Sequence, residues 1–167
     1  MKRCFVPILL VVVVVMGCAK PQSDKARYKA QAAVDDKIVA SYIAANNLTD
    51  TAHRVSDTCG VYYIVINKGS GNDVFTSSTR VTVSYAGRQL SADTVFAQTD
   101  SSAFTPSYVL GQTILGWQLG LPKIKKGGEV RLLVPSRYAY GPYAQKQYGL
   151  PANAILDFDI KLYNITN

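Results

Sequence analysis

The stretch from Leu110 to Leu162 constrains the fold most, because apolar periodicity and chain breakers alternate along it. Ile114 to Leu121 is short and rich in apolar residues, a length that suits one short helix. Pro122 ends that helix, since proline lacks the amide donor. Glu129 to Val134 then reads as a strand after the Gly127-Gly128 turn. Ile155 to Leu162 alternates Leu156, Phe158, Ile160 and Leu162, the pattern of a strand with one buried face.

Upstream the same period of two recurs. Val61, Tyr63 and Val65 alternate with Tyr62, Ile64 and Ile66, apolar on both faces, which predicts a strand with substantial burial. Asn67 to Asn72 is a turn, and Arg80 to Tyr85 is a half-buried strand with Val81, Val83 and Tyr85 on one side. Val95-Phe96 begins another strand after the Ser91-Ala92-Asp93 turn. These elements predict an α+β fold, an antiparallel twisted sheet wrapped around one short helix. Lys25 to Asn47 contains no Pro or Gly and reads as a helix. Ala30, Ala33, Val34, Ile38, Tyr42 and Ala45 recur on one face of it. This N-terminal helical extension, residues 25–50, is expected outside the core. Its stripe would dock on a neighbouring surface, or on a second copy to make a homodimer.

The first residues read as a targeting segment. Lys2 and Arg3 precede an apolar run from Phe5 to Met16, about a dozen residues, where a membrane span needs roughly 20. The run closes Val15-Met16-Gly17-Cys18, which resembles a bacterial lipobox. That resemblance implies removal of residues 1–17, lipidation of Cys18 and a short tether over residues 18–24. Two or more acyl chains on one residue anchor stably. Loss of the leader would leave 150 residues, enough for one domain, and would take the formal charge from +7 to +5. The remaining basic residues are scattered apart from Lys123, Lys125 and Lys126, so nothing points to nucleic acid. Cys4 would leave with the leader and Cys18 would carry lipid, so Cys59 is left as a small buried hydrophobe without a disulfide partner.

A series of short motifs stands in a fixed order: Leu110-Gly111, Ile114-Leu115-Gly116-Trp117, Gly120-Leu121, Gly127-Gly128, Val134-Pro135, Tyr138-Ala139-Tyr140-Gly141, Leu150-Pro151-Ala152-Asn153 and Leu156 to Leu162. The series resembles the second half of an FKBP-type peptidyl-prolyl cis-trans isomerase domain. The resemblance covers residues 59–167. It implies a prolyl pocket built from Tyr85, Phe96, Ile114, Trp117, Tyr140, Leu150 and Phe158. Trp117 would be its floor, with Tyr85, Phe96 and Phe158 as walls. The Ile114 amide and the Tyr140 hydroxyl would bond substrate carbonyls; with Phe96 these are the expected catalytic groups. Two positions depart from the family pattern. Ala97 stands where an Asp follows the Phe, and Pro106 stands where an aromatic precedes the Leu-Gly pair, leaving Phe104 or Tyr108 to fill the space.

The chemistry asks for little else. The amide barrier of roughly 18–20 kcal/mol comes from resonance, and an X-Pro bond turns over in tens to hundreds of seconds unaided. No bond is broken, so no nucleophile, acid–base pair, metal or cofactor is required. An apolar pocket favours the less conjugated, twisted amide, which is differential binding of the transition state. Other chemistries lack their residues. The chain has one histidine, His53, and one glutamate, Glu129, and Gly69-Ser70-Gly71 lacks the context of a phosphate loop. The expected function is therefore prolyl isomerisation on proline-containing clients in a bacterial envelope, lipid-anchored at the outer membrane facing the periplasm, with activity weakened by Ala97. The competing reading is a non-catalytic module that binds proline peptides or acts as a holdase.

Overall fold

The structure is a computed structural model that describes residues 24–90, 92, 94–99 and 105–167. The expected leader, Cys18 and the tether before Asp24 lie outside these residues, as do Ser91, Asp93 and Phe104.

Among the described residues, seven strands form one antiparallel sheet. They are β1 (His53–Arg54), β2 (Tyr62–Asn67), β3 (Arg80–Gln89), β4 (Val95–Gln98), β5 (Ser107–Val109), β6 (Glu129–Val134) and β7 (Leu156–Thr166). The order across the sheet is β1-β2-β6-β7-β3-β4, and β5 pairs with the first residues of β3. The short helix α2 (Leu115–Gly120) packs on one face. Its glycines allow that approach: a Cβ at Gly120 would stand 2.5 Å from Leu132 Cδ2. Pro122 sits in the 3-10 turn Leu121–Lys123, where the helix stops. Alternation then sorts the sheet into two faces. Val81 and Val83 of β3, Val130, Leu132 and Val134 of β6, and Leu156, Phe158, Ile160 and Leu162 of β7 form the main core with Trp117 and Leu121. The expected fold is therefore observed.

Two expectations about burial fail. β2 is only half-buried from Tyr62 to Val65, and Ile66 is 57% exposed. Tyr63 and Val65 pack against the main core and Tyr62 against a smaller cluster on the other face, while the two-residue β1 is the one described strand beyond β2, so cover at this edge is partial. The second concerns the arm. Helix α1 (Asp24–Ala45) ends near Asn47, whose positive φ of 56° lets Leu48 N–H return to the Ile43 carbonyl at 2.9 Å. Most of its predicted apolar stripe faces outward, Val34 50% and Ile38 44% exposed, and of that stripe Tyr42 packs against the sheet. The buried face is instead Asp35, Val39 and Ile43. Val39 and Ile43 pack with Leu90, Leu133 and Ile155 in a second, smaller core on the outer side of the sheet. Apolar residues lie around much of this helix, so spacing did not single out the docked face.

Among the described residues, three ion pairs link the outer face. Arg131 holds buried Asp157 through two nitrogens at 2.9 and 2.7 Å, and donates to the Tyr42 hydroxyl at 2.7 Å. Arg88 pairs with Asp159, and Arg137 with Asp36, each at 2.7 Å. His53, upstream of the residues that the resemblance covers, joins the sheet edge opposite Tyr63. Cys59 is buried, as expected.

Candidate functional site

The aromatic pocket lies where β3, β4 and β7 meet α2 and the loop after β6. The turn before α2 is stapled: Thr113 Oγ1 donates to the Leu110 carbonyl at 2.7 Å, and Gln118 Nε2 donates to the Thr113 carbonyl at 2.7 Å. Ile114 is the N-cap, and its carbonyl accepts from Trp117 N at 3.0 Å. The Ile114 amide makes no backbone hydrogen bond among the described residues. One turn on, Trp117 is only 5% exposed and forms the floor.

Rings close around that indole. Tyr85 meets it edge-on with centroids 5.0 Å apart, Phe158 at 5.5 Å and Tyr108 at 6.1 Å. Phe96 packs edge-on against Phe158 at 5.8 Å. Such edge-to-face contacts match the positive ring edge to the negative face. Tyr140 enters from the loop after β6, where the Ser136 carbonyl accepts Ala139 N at 2.9 Å and Gly141 N at 2.8 Å. A 3-10 turn at Lys146–Tyr148 brings Tyr148 onto Tyr140, stacked at 6.5 Å. The cavity so formed is about 330 Å³, within the usual range for ligand clefts.

The electrostatics keep the walls neutral. Burial first, and then the neighbouring Tyr108 hydroxyl, push the Tyr85 phenol well above its ordinary value. Burial, then the Tyr148 hydroxyl, raise that of Tyr140. The indole Nε1 of Trp117 is buried without a partner among the described residues. No hydrogen bond to another described residue engages the Tyr140 hydroxyl. The site thus offers an apolar floor and two donors, the Ile114 amide and the Tyr140 hydroxyl. No group of three or more His, Cys, Asp or Glu that could hold a metal occurs among the described residues.

Of the seven residues expected here, Tyr85, Phe96, Ile114, Trp117, Tyr140 and Phe158 line this cavity. Leu150 does not. It lies behind the pocket in the main core, and its carbonyl accepts from Gln145 N at 2.9 Å. Tyr108 occupies the aromatic place that Pro106 vacates. Tyr148 and Ala97 complete the rim. Tyr148 was not legible from spacing, because a loop of no fixed period delivers it. Arg88, two residues past the Ala86 that follows Tyr85, points to Asp159 on the outer face rather than toward Ala97.

A second cleft, about 450 Å³, opens between the first turns of α1 and residues 142–153. Asp24, Arg27 and Gln31 line it, and none of the ordered motifs sends an apolar floor into it. The aromatic pocket is therefore the candidate site.

A sequence profile described as FKBP-type peptidyl-prolyl cis-trans isomerase matches residues 71–163. The chain is 37% identical over 108 residues to the FKBP-type peptidyl-prolyl cis-trans isomerase FkpA of Buchnera aphidicola subsp. Schizaphis graminum, which covers 65% of this chain and 42% of that protein. It is 33% identical over 107 residues to FK506-binding protein 1 of Candida glabrata, covering 64% of this chain and 93% of that one. Its fold matches the crystal structure of FkpA from Escherichia coli with a TM-score of 0.67 and 28% identity, over 85% of this chain and 64% of that chain. The chain thus spans less than half the length of the Buchnera relative.

Proposed function

Since the chain belongs to the FKBP-type peptidyl-prolyl cis-trans isomerase family, we propose that it isomerises X-Pro bonds in polypeptide clients. The observation that carries this reading is the joint position of the Trp117 floor, the Ile114 amide and the Tyr140 hydroxyl at one apolar cavity. A pyrrolidine ring over the indole places the preceding amide among the Tyr85, Phe96 and Phe158 rings. There the planar amide loses hydration, and the twisted form, with less charge separation, loses less of it. Two donors then hold the flanking carbonyls, so binding energy is directed to the transition state. No proton moves and no covalent intermediate forms.

The working place of the protein belongs to the same proposal. Cleavage before Cys18 and its lipidation would tether the domain to the outer membrane, facing the periplasm, where newly exported chains fold. No helix among the described residues is long and apolar enough to cross a membrane. The outward Val34 and Ile38 of α1 would serve a homodimer, which the mass of the detergent-solubilised protein tests.

The test of activity is a proline-limited refolding assay run beside a short X-Pro peptide assay. Faster relaxation in proportion to added protein supports the isomerase. Binding of proline peptides with no acceleration would replace it with the non-catalytic binding module that Ala97 suggests.

A further inference from the structure

We propose that the helical arm is part of the prolyl site, and that Asp35 on α1 is a positioning residue for Tyr140. The inference rests on the isomerase reading above and adds a role for a residue 101 positions away from its partner.

Two aspartates are buried among the described residues, Asp157 and Asp35. Asp157 has Arg131 as its counter-ion. Asp35, 0% exposed, has no ion pair among the described residues. Instead it collects three donors. Gln31 Nε2 donates to Oδ1 at 2.8 Å, while Ser136 N and Ser136 Oγ donate to Oδ2 at 2.9 and 2.6 Å. A carboxyl group in such a place is costly to bury and persists only because its oxygens are satisfied.

The partner explains why the arrangement bears on the pocket. Ser136 is a hub. Its N–H and hydroxyl are used on Asp35, and its carbonyl accepts both Ala139 N and Gly141 N, the two amides that bracket Tyr140. Gly141, at φ 60°, passes the constraint on through its own carbonyl, which accepts Asn153 N at 2.8 Å. Arg137, the next residue, is held to the arm twice, by Asp36 and by the Ala32 carbonyl. The backbone that aims the Tyr140 hydroxyl is therefore fixed from outside the sheet, by α1. The apolar contacts of Val39 and Ile43 dock the arm as well, through a different set of residues, Leu90, Leu133 and Ile155. Docking and positioning are thus separable on one helix.

The experiment compares three full-length variants, Asp35→Ala, Asp35→Asn and Val39→Ala, at a temperature where each is folded. The readouts are kcat and KM on an X-Pro peptide, peptide affinity from the fluorescence of Trp117, the single tryptophan, and hydrogen exchange of the Gly141 amide. Misaiming Tyr140 forfeits one substrate hydrogen bond, so Asp35→Ala should lower kcat/KM by up to about tenfold. Asp35→Asn keeps an acceptor and should recover much of the loss. Val39→Ala should lower the melting temperature yet leave kcat/KM and Gly141 exchange as in the parent. If Asp35→Ala and Val39→Ala behave alike in kcat/KM and in exchange, Asp35 is structural and the proposal is overturned. If the parent itself is inert on the peptide, the isomerase reading has failed separately. Peptide affinity and Gly141 exchange then decide the positioning role, which stands only if Asp35→Ala alone changes both. Where Asp35→Ala does not fold, Ser136→Ala takes its place, and unchanged affinity and exchange in that variant overturn the proposal.

Discussion

Gly87 and Phe158 are register partners on β3 and β7, and the Phe158 ring lies directly over the glycine. A Cβ at Gly87 would stand 2.7 Å from Phe158 Cε1 and 2.9 Å from Phe96 Cζ. Both pocket walls thus occupy space that only a glycine leaves. Gly87→Ala should push the two rings into the cavity, cost about 1–3 kcal/mol of stability, and weaken proline-peptide binding. Thermal denaturation and Trp117 fluorescence check this; a variant with parent-like affinity would show that the rings can retreat elsewhere.

Tyr140 and Trp117 should separate chemistry from packing. Tyr140→Phe removes a hydroxyl with no described protein partner, so it should spare the fold and weaken substrate binding by about 0.5–1.5 kcal/mol. Trp117→Ala empties the floor and should cost about 3–5 kcal/mol of stability together with ligand binding. Chemical denaturation and peptide kinetics on both variants test the contrast. Unfolding by Tyr140→Phe would make that residue structural.

The pH response should be flat across the neutral range. Burial raises the phenols of Tyr85 and Tyr140 above the ordinary value of about 10. A group whose proton is held more tightly in the fold contributes stability that is complete below its unfolded value. That contribution is lost as pH rises through the folded one. Peptide kinetics should therefore stay level up to about pH 10, with melting temperature falling above it. A fall in activity between pH 7 and 9 would point to another titrating group.

Ala97 lines the pocket and sits opposite Gly87 across β3 and β4. A carboxylate placed there by Ala97→Asp would find the Tyr85 hydroxyl in the same cavity as a donor. It would not find Arg88, which is held to Asp159 on the outer face. Activity should rise by about tenfold, or roughly 1.4 kcal/mol of barrier, while stability falls because no cation offsets the desolvation. The rate constant per enzyme and the melting temperature are measured together. A variant no faster than its parent would mean that this pocket works without the carboxylate.

Cys18→Ser should move the protein out of the detergent-extracted membrane fraction, given the Val15-Met16-Gly17-Cys18 series. Membrane retention with a processed leader would refute lipidation.

The sequence alone determined the sheet and its helix. Alternation at Val81-Val83 and Leu156 to Leu162 names the buried faces, and Pro122 stops α2, because side-chain period and the missing amide act within a few residues. The family resemblance carried by the ordered motifs likewise brought Tyr85, Phe96, Ile114, Trp117, Tyr140 and Phe158 into view as one set. What the tertiary structure decided lies between elements. It put Leu150 in the core and Tyr148 on the rim, turned Arg88 away to Asp159, and chose Asp35, Val39 and Ile43 as the docked face of α1. Local spacing carries no record of such choices, since each depends on a partner far along the chain. The bond from Ser136 to Asp35 exists only once the sheet has formed and presented its outer face to the arm.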